Sequence, residues 1–225
     1  MDWPKFLTGR SMVIAGGMAG KLVIYPIAEG TREARPLTNW AVLVKVAEAG
    51  VPPRKEDWSR AGRFEDLMPH VQRFRIPFVD AKALIEATPE FWEYPMCDRD
   101  PLPRWSHGRV TLLGDAAHPM QPRGANGGAQ SILDCGALAA CLSKIADPVA
   151  ALKAYEDRRL PPTSQVVLTN RSTPPDAILQ EVWERTGDKP FHNIDDVISQ
   201  AELARLLHRY QRIAGFDKEK LAAGA

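Results

Sequence analysis

The chain has 225 residues, of which 44% are hydrophobic and 25% charged, as is typical of a soluble globular protein with one or two cores. Its 29 Lys and Arg residues nearly balance its 28 Asp and Glu residues, so the formal net charge is +1 and no broad attraction to nucleic acid or membranes is expected. None of its apolar runs reaches the roughly 20 residues that a membrane-spanning helix needs.

The cysteines Cys97, Cys135 and Cys141 form an odd set without a CxxC pair. The N-terminus also lacks a signal-peptide pattern, and both observations favour a reduced, cytoplasmic setting. The histidines lack the spacing of metal ligands, and no Ser-His-Asp arrangement can be read from the sequence. We therefore expect no metal site and identify no catalytic side chain.

Residues 11–47 predict an antiparallel β-meander. Strands are expected over 11–15, 21–25 and 38–46, where Val, Ile, Leu and aromatic residues concentrate. Pro26 is expected to end the second strand because proline cannot donate to a sheet.

The glycine turn between the first two strands, GGMAGK from Gly16, superficially matches a phosphate-binding loop. Its spacing is one residue short of that motif, and Leu22 stands where a Ser or Thr must bind magnesium. We interpret it as a hairpin turn without a phosphate site.

The middle of the chain predicts short helices over 64–74 and 81–88, followed by an aromatic strand at 91–94. These aromatic residues either line an apolar pocket or belong to an ordinary core, and the sequence leaves both interpretations open. A polar bend at 98–103 follows.

The most informative stretch is GRVTLLGDAAHPMQPRGANGGAQSILDCG, residues 108–136. Residues 109–113 predict a buried strand, a sharp turn follows at Gly114 and Asp115, and helix formers extend over about 128–143. A strand, a Gly/Pro-rich loop and a helix N-terminus in this order are the usual anatomy of a ligand site at the carboxyl end of a strand.

Each part of this stretch suits a ligand. The Asp115 carboxylate can accept hydrogen bonds from ligand hydroxyls, and Gly124, Gly127 and Gly128 lack a Cβ, so the backbone can approach a flat ligand. The first helical turn offers unpaired N–H groups, which favour an electron-rich carbonyl or a developing anion. Asp134, in the helix interior, is expected to be an exposed or capping carboxylate.

The same helix also carries a face of small and apolar residues, which is expected to pack on a sheet. That face comprises Ala129, Leu133, Gly136, Ala137 and Ala140.

Three further helical regions are expected downstream. The first runs over 149–159, is broken or kinked at Pro161 and Pro162, and resumes over 163–170. Helices over 176–184 and 194–213 follow. The apolar stripe of the last one is a docking face for a missing half, a dimer contact or ordinary core, and all three remain open. The stripe comprises Ile194, Val197, Ile198, Ala201, Leu206, Tyr210 and Ile213.

The run GDAAHP from Gly114, with Pro122 and GANGG at 124–128, resembles the second FAD motif of the single-component flavoprotein aromatic hydroxylases. This is the family of para-hydroxybenzoate and salicylate hydroxylases. Within it, YPM at 94–96 and DRDPLP at 98–103 are most similar to the phenazine hydroxylase branch. The resemblance extends from about residue 6 to residue 171.

This resemblance implies a mixed α/β fold of the para-hydroxybenzoate hydroxylase type. It assigns 1–97 to the substrate-domain sheet and helices, 98–170 to the C-terminal part of a Rossmann-type FAD-binding domain, and 171–225 to C-terminal helices. The GxGxxG unit with which the family holds the FAD pyrophosphate is not in this sequence. We therefore expect the downstream half of such an enzyme: a truncated gene product, a fragment or one piece of a split protein.

The resemblance also implies FAD as cofactor, NADPH or NADH as co-substrate, and O2-dependent hydroxylation of a small aromatic, phenazine-like substrate. Asp115 would hold ribityl hydroxyls, Pro122 would lie beside the reactive edge of the flavin, and amides around Gly128 and Ala129 would stabilise the negative charge of the reduced ring. The expected cofactor-binding residues are Gly114, Asp115, Pro122, Gly124, Asn126, Gly127, Gly128 and Ala129. The alternative is a non-catalytic remnant, or a subunit completed by a complementary N-terminal half or a second copy.

Overall fold

In the computed structural model, the chain divides into two compact units at the Pro95–Met96 junction. The residues that the structure describes are 11–17, 20–28, 37–48, 50–51, 54–187 and 189–215. The expected boundary near residue 170 stays a prediction.

The first unit contains a three-stranded antiparallel sheet. Its strands are β1 (Val13–Gly16), β2 (Gly20–Ala28) and β3 (Leu37–Val44), in that order across the sheet. Each strand pairs with the next along the chain, so the predicted meander is confirmed.

The turn between β1 and β2 requires glycine at its start. Gly16 has a φ of +129°, and a Cβ at this position would collide with the carbonyl oxygen of Gly20. The expectation of a hairpin turn is therefore confirmed. Met18 and Ala19 lie outside the described residues, and the expected lack of a phosphate site stays a prediction.

The expectation that Pro26 ends the second strand is wrong. Strand β2 continues to Ala28, with Pro26 opposite Thr38 and a register shift between Pro26 and Ala28. Such an irregularity accommodates a residue without an N–H, because the ladder is already interrupted there.

Two short helices pack on this sheet, α1 (Phe64–Val71) and α2 (Ala81–Glu86), close to their predicted positions. Together they bury an apolar core whose central residues are Leu22, Ile24, Val71, Ala81 and Ile85. Helix α2 begins at Asp80, whose carboxylate accepts from the amide of Ala83.

The aromatic strand predicted at 91–94 is wrong. Only an isolated bridge joins Trp92 to Ala61 within the described residues, and the Trp92 and Tyr94 side chains are 50% and 60% exposed. Phe91 instead packs edge-on against Phe64 and tilted against Trp40. The segment pairs with a loop rather than a strand, so its backbone bonds do not extend into a ladder.

The second unit begins with a hairpin of two short strands, β4 (Ser106–His107) and β5 (Val110–Thr111). The strand predicted over 109–113 is therefore present but shorter, and it is not buried, because Val110 is 66% exposed. Within the described ranges β5 pairs only with β4. Gly108, with a φ of +61°, makes the turn.

Among its described residues, this unit further contains four α-helices: α3 (Gly127–Lys144), α4 (Pro148–Ser172), α5 (Ala177–Thr186) and α6 (Gln200–Ala214). The start of α3 confirms the predicted helix boundary. No helix among the described residues is both long and apolar enough to cross a membrane.

Of the break or kink expected at Pro161 and Pro162, the break is wrong, because helix α4 runs without interruption through both prolines. The kink stays a prediction. The hydroxyls of Thr163 and Ser164 donate to main-chain carbonyls of the preceding turn, at 2.8 and 2.7 Å. These bonds and the buried positions on both sides of the prolines hold the helix together where backbone bonds are missing.

The helix predicted over 194–213 is in fact divided. A single 3-10 turn (Ile194–Asp196) precedes α6, which begins at the capping box formed by Ser199 and Glu202. Ile198 and Tyr210 of the apolar stripe are buried within the second unit. Of the three interpretations left open, ordinary core therefore applies to these two residues.

Candidate functional site

The turn after β5 is held in one conformation by its own backbone. Gly114 is buried with a φ of +60°, and a Cβ there would approach the Ser131 hydroxyl to 2.8 Å. The amides of Ala117 and His118 both donate to the Gly114 carbonyl, at 2.8 and 2.9 Å. Glycine is thus required at 114, as the sharp turn in the sequence indicated.

Asp115 occupies the middle of this turn, which is a 3-10 helix over Gly114–Ala116 rather than the extended end of a strand. Its side chain is exposed. Its Oδ1 lies 3.8 Å from where a Cβ on Gly127 would stand, so the carboxylate faces the N-terminus of α3. The acid and the helix end therefore lie together, but the expectation that Asp115 stands at the carboxyl end of a strand is wrong, because the residue lies inside a 3-10 turn that begins after β5 has ended.

The loop over residues 119–126, hereafter the site loop, is anchored by the protein itself. Pro122 is exposed, and Gly124 and Ala125 have φ values of +83° and +53°. A Cβ on Gly124 would collide with the Tyr210 hydroxyl and lie 2.9 Å from Pro175. Glycine at 124 was expected to leave room for a flat ligand. The structure gives a different reason, because the Tyr210 side chain occupies the space beside Gly124.

The first turn of α3 is open. A Cβ on Gly128 would meet no described atom within 4 Å. Asn126 stands at the N-cap position, but its side chain does not cap the helix. Within the described part of the chain, the amides of Gly127, Gly128 and Ala129 have no hydrogen-bond acceptor. These N–H groups carry the positive end of the helix dipole beside the Asp115 carboxylate.

Asp134 contradicts the expectation of an exposed or capping carboxylate. Its side chain is fully buried, and its Oδ2 accepts from the Gly114 amide at 3.2 Å and contacts His118 Nε2 at 2.6 Å. Its Oδ1 accepts from Arg159 Nε at 2.6 Å. One carboxylate therefore joins α3, α4 and the turn that carries Asp115.

The electrostatics of this cluster keep the carboxylate ionised. Burial alone would raise the pKa of Asp134, but hydrogen bonds from His118 and Arg159 outweigh it, and the pKa is lowered. Arg159 also donates to Gln130 Oε1 at 2.7 Å. The Nδ1 atom of His118 is buried without a hydrogen-bond partner among the described residues.

The buried face of α3 is consequently polar. It comprises Gln130, Asp134 and Ala137, whereas Leu133 and Gly136 of the predicted sheet-packing face are exposed. The physical reason is that α3 packs mainly against α4 and the 3-10 turn, which present donors, and not against a sheet.

A second buried carboxylate ties α4 to the hairpin. Glu156 Oε2 accepts from the amides of Trp105 and Ser106 at 2.8 and 2.6 Å, and Lys153 donates to its Oε1 at 2.7 Å. Burial raises the pKa of Glu156, but these three donors prevail and lower it to about 2. Glu156 and Arg159 lie about one turn apart on α4. One face of this helix therefore binds the hairpin through Glu156 and, through Asp134, the 3-10 turn that carries Asp115.

Sequence reasoning missed Asp134, Arg159, Glu156 and Tyr210. The signal that could have found Asp134 is its spacing from Gln130 and Ala137, which places all three on one helical stripe. A charged residue on a stripe that must be buried predicts a charged partner elsewhere. Which residue supplies it could not be read from the sequence.

The site thus combines a carboxylate on a fixed turn with an open helix N-terminus, an arrangement suited to a ligand that has both hydroxyls and an electron-rich edge. Residues 85–170 match the FAD binding domain family, so the match spans this site.

Two curated relatives match a larger part of the chain. Phenazine 1,6-dicarboxylic acid hydroxylase PhzS of Lysobacter antibioticus is 42% identical over 169 residues, which are 74% of this chain and 41% of that protein. 3-Hydroxybenzoate 6-hydroxylase 1 of Aquipseudomonas alcaligenes is 34% identical over 170 residues, 76% of this chain and 40% of that protein. The chain spans less than half the length of these relatives.

Among solved structures, a salicylate hydroxylase in complex with substrate superposes with a TM-score of 0.63 at 24% identity, covering 92% of this chain and 47% of the other. This likeness establishes the mixed helix and sheet fold of flavin hydroxylases. Over the part that it covers, the chain is related to the FAD-dependent aromatic hydroxylases, as the motif resemblance predicted.

Proposed function

We propose that this chain forms the downstream part of an FAD-dependent monooxygenase that hydroxylates an aromatic, phenazine-like substrate in the cytoplasm with NADPH or NADH and O2. The observation that supports it most directly is the pairing of the Asp115 carboxylate with the open first turn of α3, inside the segment that matches the FAD binding domain family. The phenazine hydroxylase relative supports the substrate class.

In this proposal FAD supplies the redox chemistry when it is bound, and the chain supplies position and electrostatics. Asp115 would accept hydrogen bonds from ribityl hydroxyls. The amides of Gly127, Gly128 and Ala129 would donate to the electron-rich pyrimidine edge.

The other proposed contacts shape the site. Gly114 makes the turn that orients Asp115, and the exposed Pro122 would lie beside the reactive edge of the flavin ring. Gly124 and Asn126 hold the site loop through Tyr210 rather than through the cofactor.

A second candidate is a non-catalytic chain, or a subunit whose flavin site is completed by a complementary N-terminal half or a second copy. The exposure of large apolar side chains in the second unit favours it, since Val110 is 66% and Ile132 is 73% exposed. The absence of GxGxxG from the sequence agrees with a pyrophosphate site supplied elsewhere.

Titration of the purified chain with FAD, followed by flavin fluorescence, tests the proposal. We expect weak binding, because this sequence would supply the ribityl and pyrimidine contacts but contains no GxGxxG unit for the pyrophosphate. Asp115→Ala should weaken it about 10- to 100-fold, the value of one hydrogen bond to a charged group. The matched control is Asp196→Ala, which removes an exposed aspartate from the other 3-10 turn and should leave affinity unchanged.

The titration is repeated with the N-terminal half of a relative added. Tighter binding in the mixture that still depends on Asp115 supports a subunit of a flavin enzyme. Equal FAD affinities of wild type and Asp115→Ala would refute the proposed site, and no binding in either experiment would favour the non-catalytic remnant.

A further inference from the structure

The Asp115 carboxylate is positioned by its backbone alone within the described part of the chain. Its side chain is exposed and makes no hydrogen bond there. The direction in which it points therefore depends on how firmly the 3-10 turn over Gly114–Ala116 is held. A ligand contact that has no partner of its own needs a rigid support beneath it.

His118 closes a ring of hydrogen bonds around the first residue of this turn. Its main-chain amide donates to the Gly114 carbonyl at 2.9 Å, and its Nε2 lies 2.6 Å from Asp134 Oδ2. The same Oδ2 accepts from the Gly114 amide at 3.2 Å. Both polar groups of Gly114 are thus held, the carbonyl by the His118 backbone and the amide by the carboxylate that the imidazole contacts.

The direction of the hydrogen bond between His118 and Asp134 follows from the other partners of the carboxylate. Asp134 accepts from the guanidinium of Arg159 at 2.6 Å and from the Gly114 amide, and both donors favour its ionised form, which has no proton to donate. Nε2 of His118 must therefore carry a proton and be the donor. Nδ1 is buried without a hydrogen-bond partner among the described residues, so the bond at Nε2 is the one that orients the imidazole.

The imidazole also packs against a group that belongs to the framework of this unit. The Trp105 ring, which is 1% exposed, has its centroid 5.5 Å from that of the His118 ring. The main-chain amide of Trp105 donates to Glu156 of α4. His118 is therefore connected to α4 by two routes, one through Asp134 and Arg159 and the other through Trp105 and Glu156.

We infer that His118 is a positioning residue, whose Nε2–H donates to Asp134 and so holds the 3-10 turn that orients the Asp115 carboxylate. The inference rests on the proposed function for the identity of the ligand that this carboxylate would meet. The hold on the turn is a property of the chain without any ligand, and it is tested separately.

Two amide substitutions separate the donor from the space that the ring fills. In His118→Gln the side-chain NH2 stands near the place of Nε2 and keeps a donor for Asp134, whereas in His118→Asn it stands near the place of Nδ1 and does not. Without flavin, hydrogen exchange of the Gly114 amide, measured by NMR, should be about tenfold faster in His118→Asn, the value of one hydrogen bond to a charged group. In His118→Gln it should stay within about threefold of wild type.

The bond is also measured without any substitution. A proton–nitrogen correlation spectrum of the histidine rings in the wild-type chain should show His118 protonated at Nε2, with a side-chain N–H that exchanges slowly with solvent because it is buried and bonded. This measurement decides whether the donor exists even if a variant fails to fold.

FAD titration of the same variants tests the link to the ligand. The affinity of His118→Asn should fall about tenfold relative to wild type, and His118→Gln should recover most of this loss. The matched control is His107→Asn, which makes the same change at an exposed histidine of the hairpin and should alter neither exchange nor affinity.

Equal exchange rates in His118→Asn and wild type would overturn the inference. Equal increases in His118→Asn and His118→Gln would also overturn it, because the ring would then only fill space, and so would a wild-type ring without a proton at Nε2. If exchange follows the expectation but wild type binds no FAD, the hold on the turn stands and the proposed function fails. If FAD binds and its affinity does not follow exchange, the turn does not orient a ligand contact and the inference fails.

Discussion

The two units differ in what fills their interiors. In the first unit the buried residues that meet between sheet and helices are apolar, centred on Leu22, Ile24 and Ile85. In the second unit an apolar cluster around Trp105 and Tyr155 lies among fully buried polar groups, and it is these groups that contact the site turn.

The difference separates two tasks. Apolar contacts are non-directional, so a core such as that of the first unit stabilises the fold without fixing any group to a fraction of an ångström. Hydrogen bonds between buried charges have defined geometry and a high cost of mismatch. The Asp134 carboxylate therefore sets where the Gly114 turn stands relative to α3.

The largest loss of folding stability is expected from Asp134→Ala. It leaves Arg159 buried without its carboxylate and removes the acceptor of the Gly114 amide. Loss of one partner of a buried ion pair costs about 3–5 kcal/mol. Chemical denaturation should show this loss, and peptide-resolved hydrogen exchange should locate it in the 3-10 turn, α3 and α4.

Ile85→Ala is the matched apolar deletion in the first unit and should lower the free energy of unfolding by about 2–5 kcal/mol. Its increased exchange should appear in α1, α2 and β2, whose residues surround Ile85. If Asp134→Ala cost less than about 1 kcal/mol, the charged cluster would not define the second unit as argued.

The features that could be predicted from the sequence are those formed by local patterns, and the long-range polar contacts of the second unit are not among them. The meander, α1, α2 and the start of α3 could be predicted because their patterns are local: alternation, capping residues and a glycine-rich loop. The juxtaposition of Asp115 with the helix end could be predicted from the order of strand, turn and helix. These features depend on residues close together in the chain.

The rest depends on partners far apart in the chain. Nothing near Asp134 indicates that Arg159, 25 positions later, neutralises it. Gly124 was assigned to a ligand because the hydroxyl of Tyr210, which fills the space beside it, is more than 80 residues away. Helix α4 continues through its prolines because tertiary packing outweighs local propensity.

A smaller, pH-dependent effect is expected from Glu156→Gln. The pKa of Glu156 is about 2 in the folded chain against an ordinary 4.5, so its contribution to the free energy of unfolding is present above pH 4.5 and is lost as the pH falls toward 2. The variant should be destabilised by about 1.5–3 kcal/mol at neutral pH, the value of hydrogen bonds to a charged group.

Denaturant titrations at several pH values check whether the contribution of Glu156 to the free energy of unfolding falls as the pH is lowered. The difference between wild type and Glu156→Gln should shrink as the pH falls from 4.5 toward 2. A difference that stays constant over this range would show that the lost contribution is packing rather than charge. Glu90→Gln, which removes the charge of an exposed glutamate, serves as a control for simple charge changes.

The smallest effect on stability is expected from Asp115→Ala, although this is the residue that the sequence singled out. Its side chain is exposed, and its one favourable interaction in the described structure is with the positive end of α3, near Gly127. A charge at a helix N-terminus is worth about 0.3–1 kcal/mol when exposed, and less with salt, so denaturation midpoints should move little. The same substitution should nevertheless weaken FAD binding about 10- to 100-fold. Asp134→Asn, which keeps the shape of the side chain, should lower stability more than it lowers intrinsic affinity. A large loss of stability in Asp115→Ala, measured in high salt, would contradict the division of tasks, because the exposed acid would then be holding the turn that we assign to Asp134.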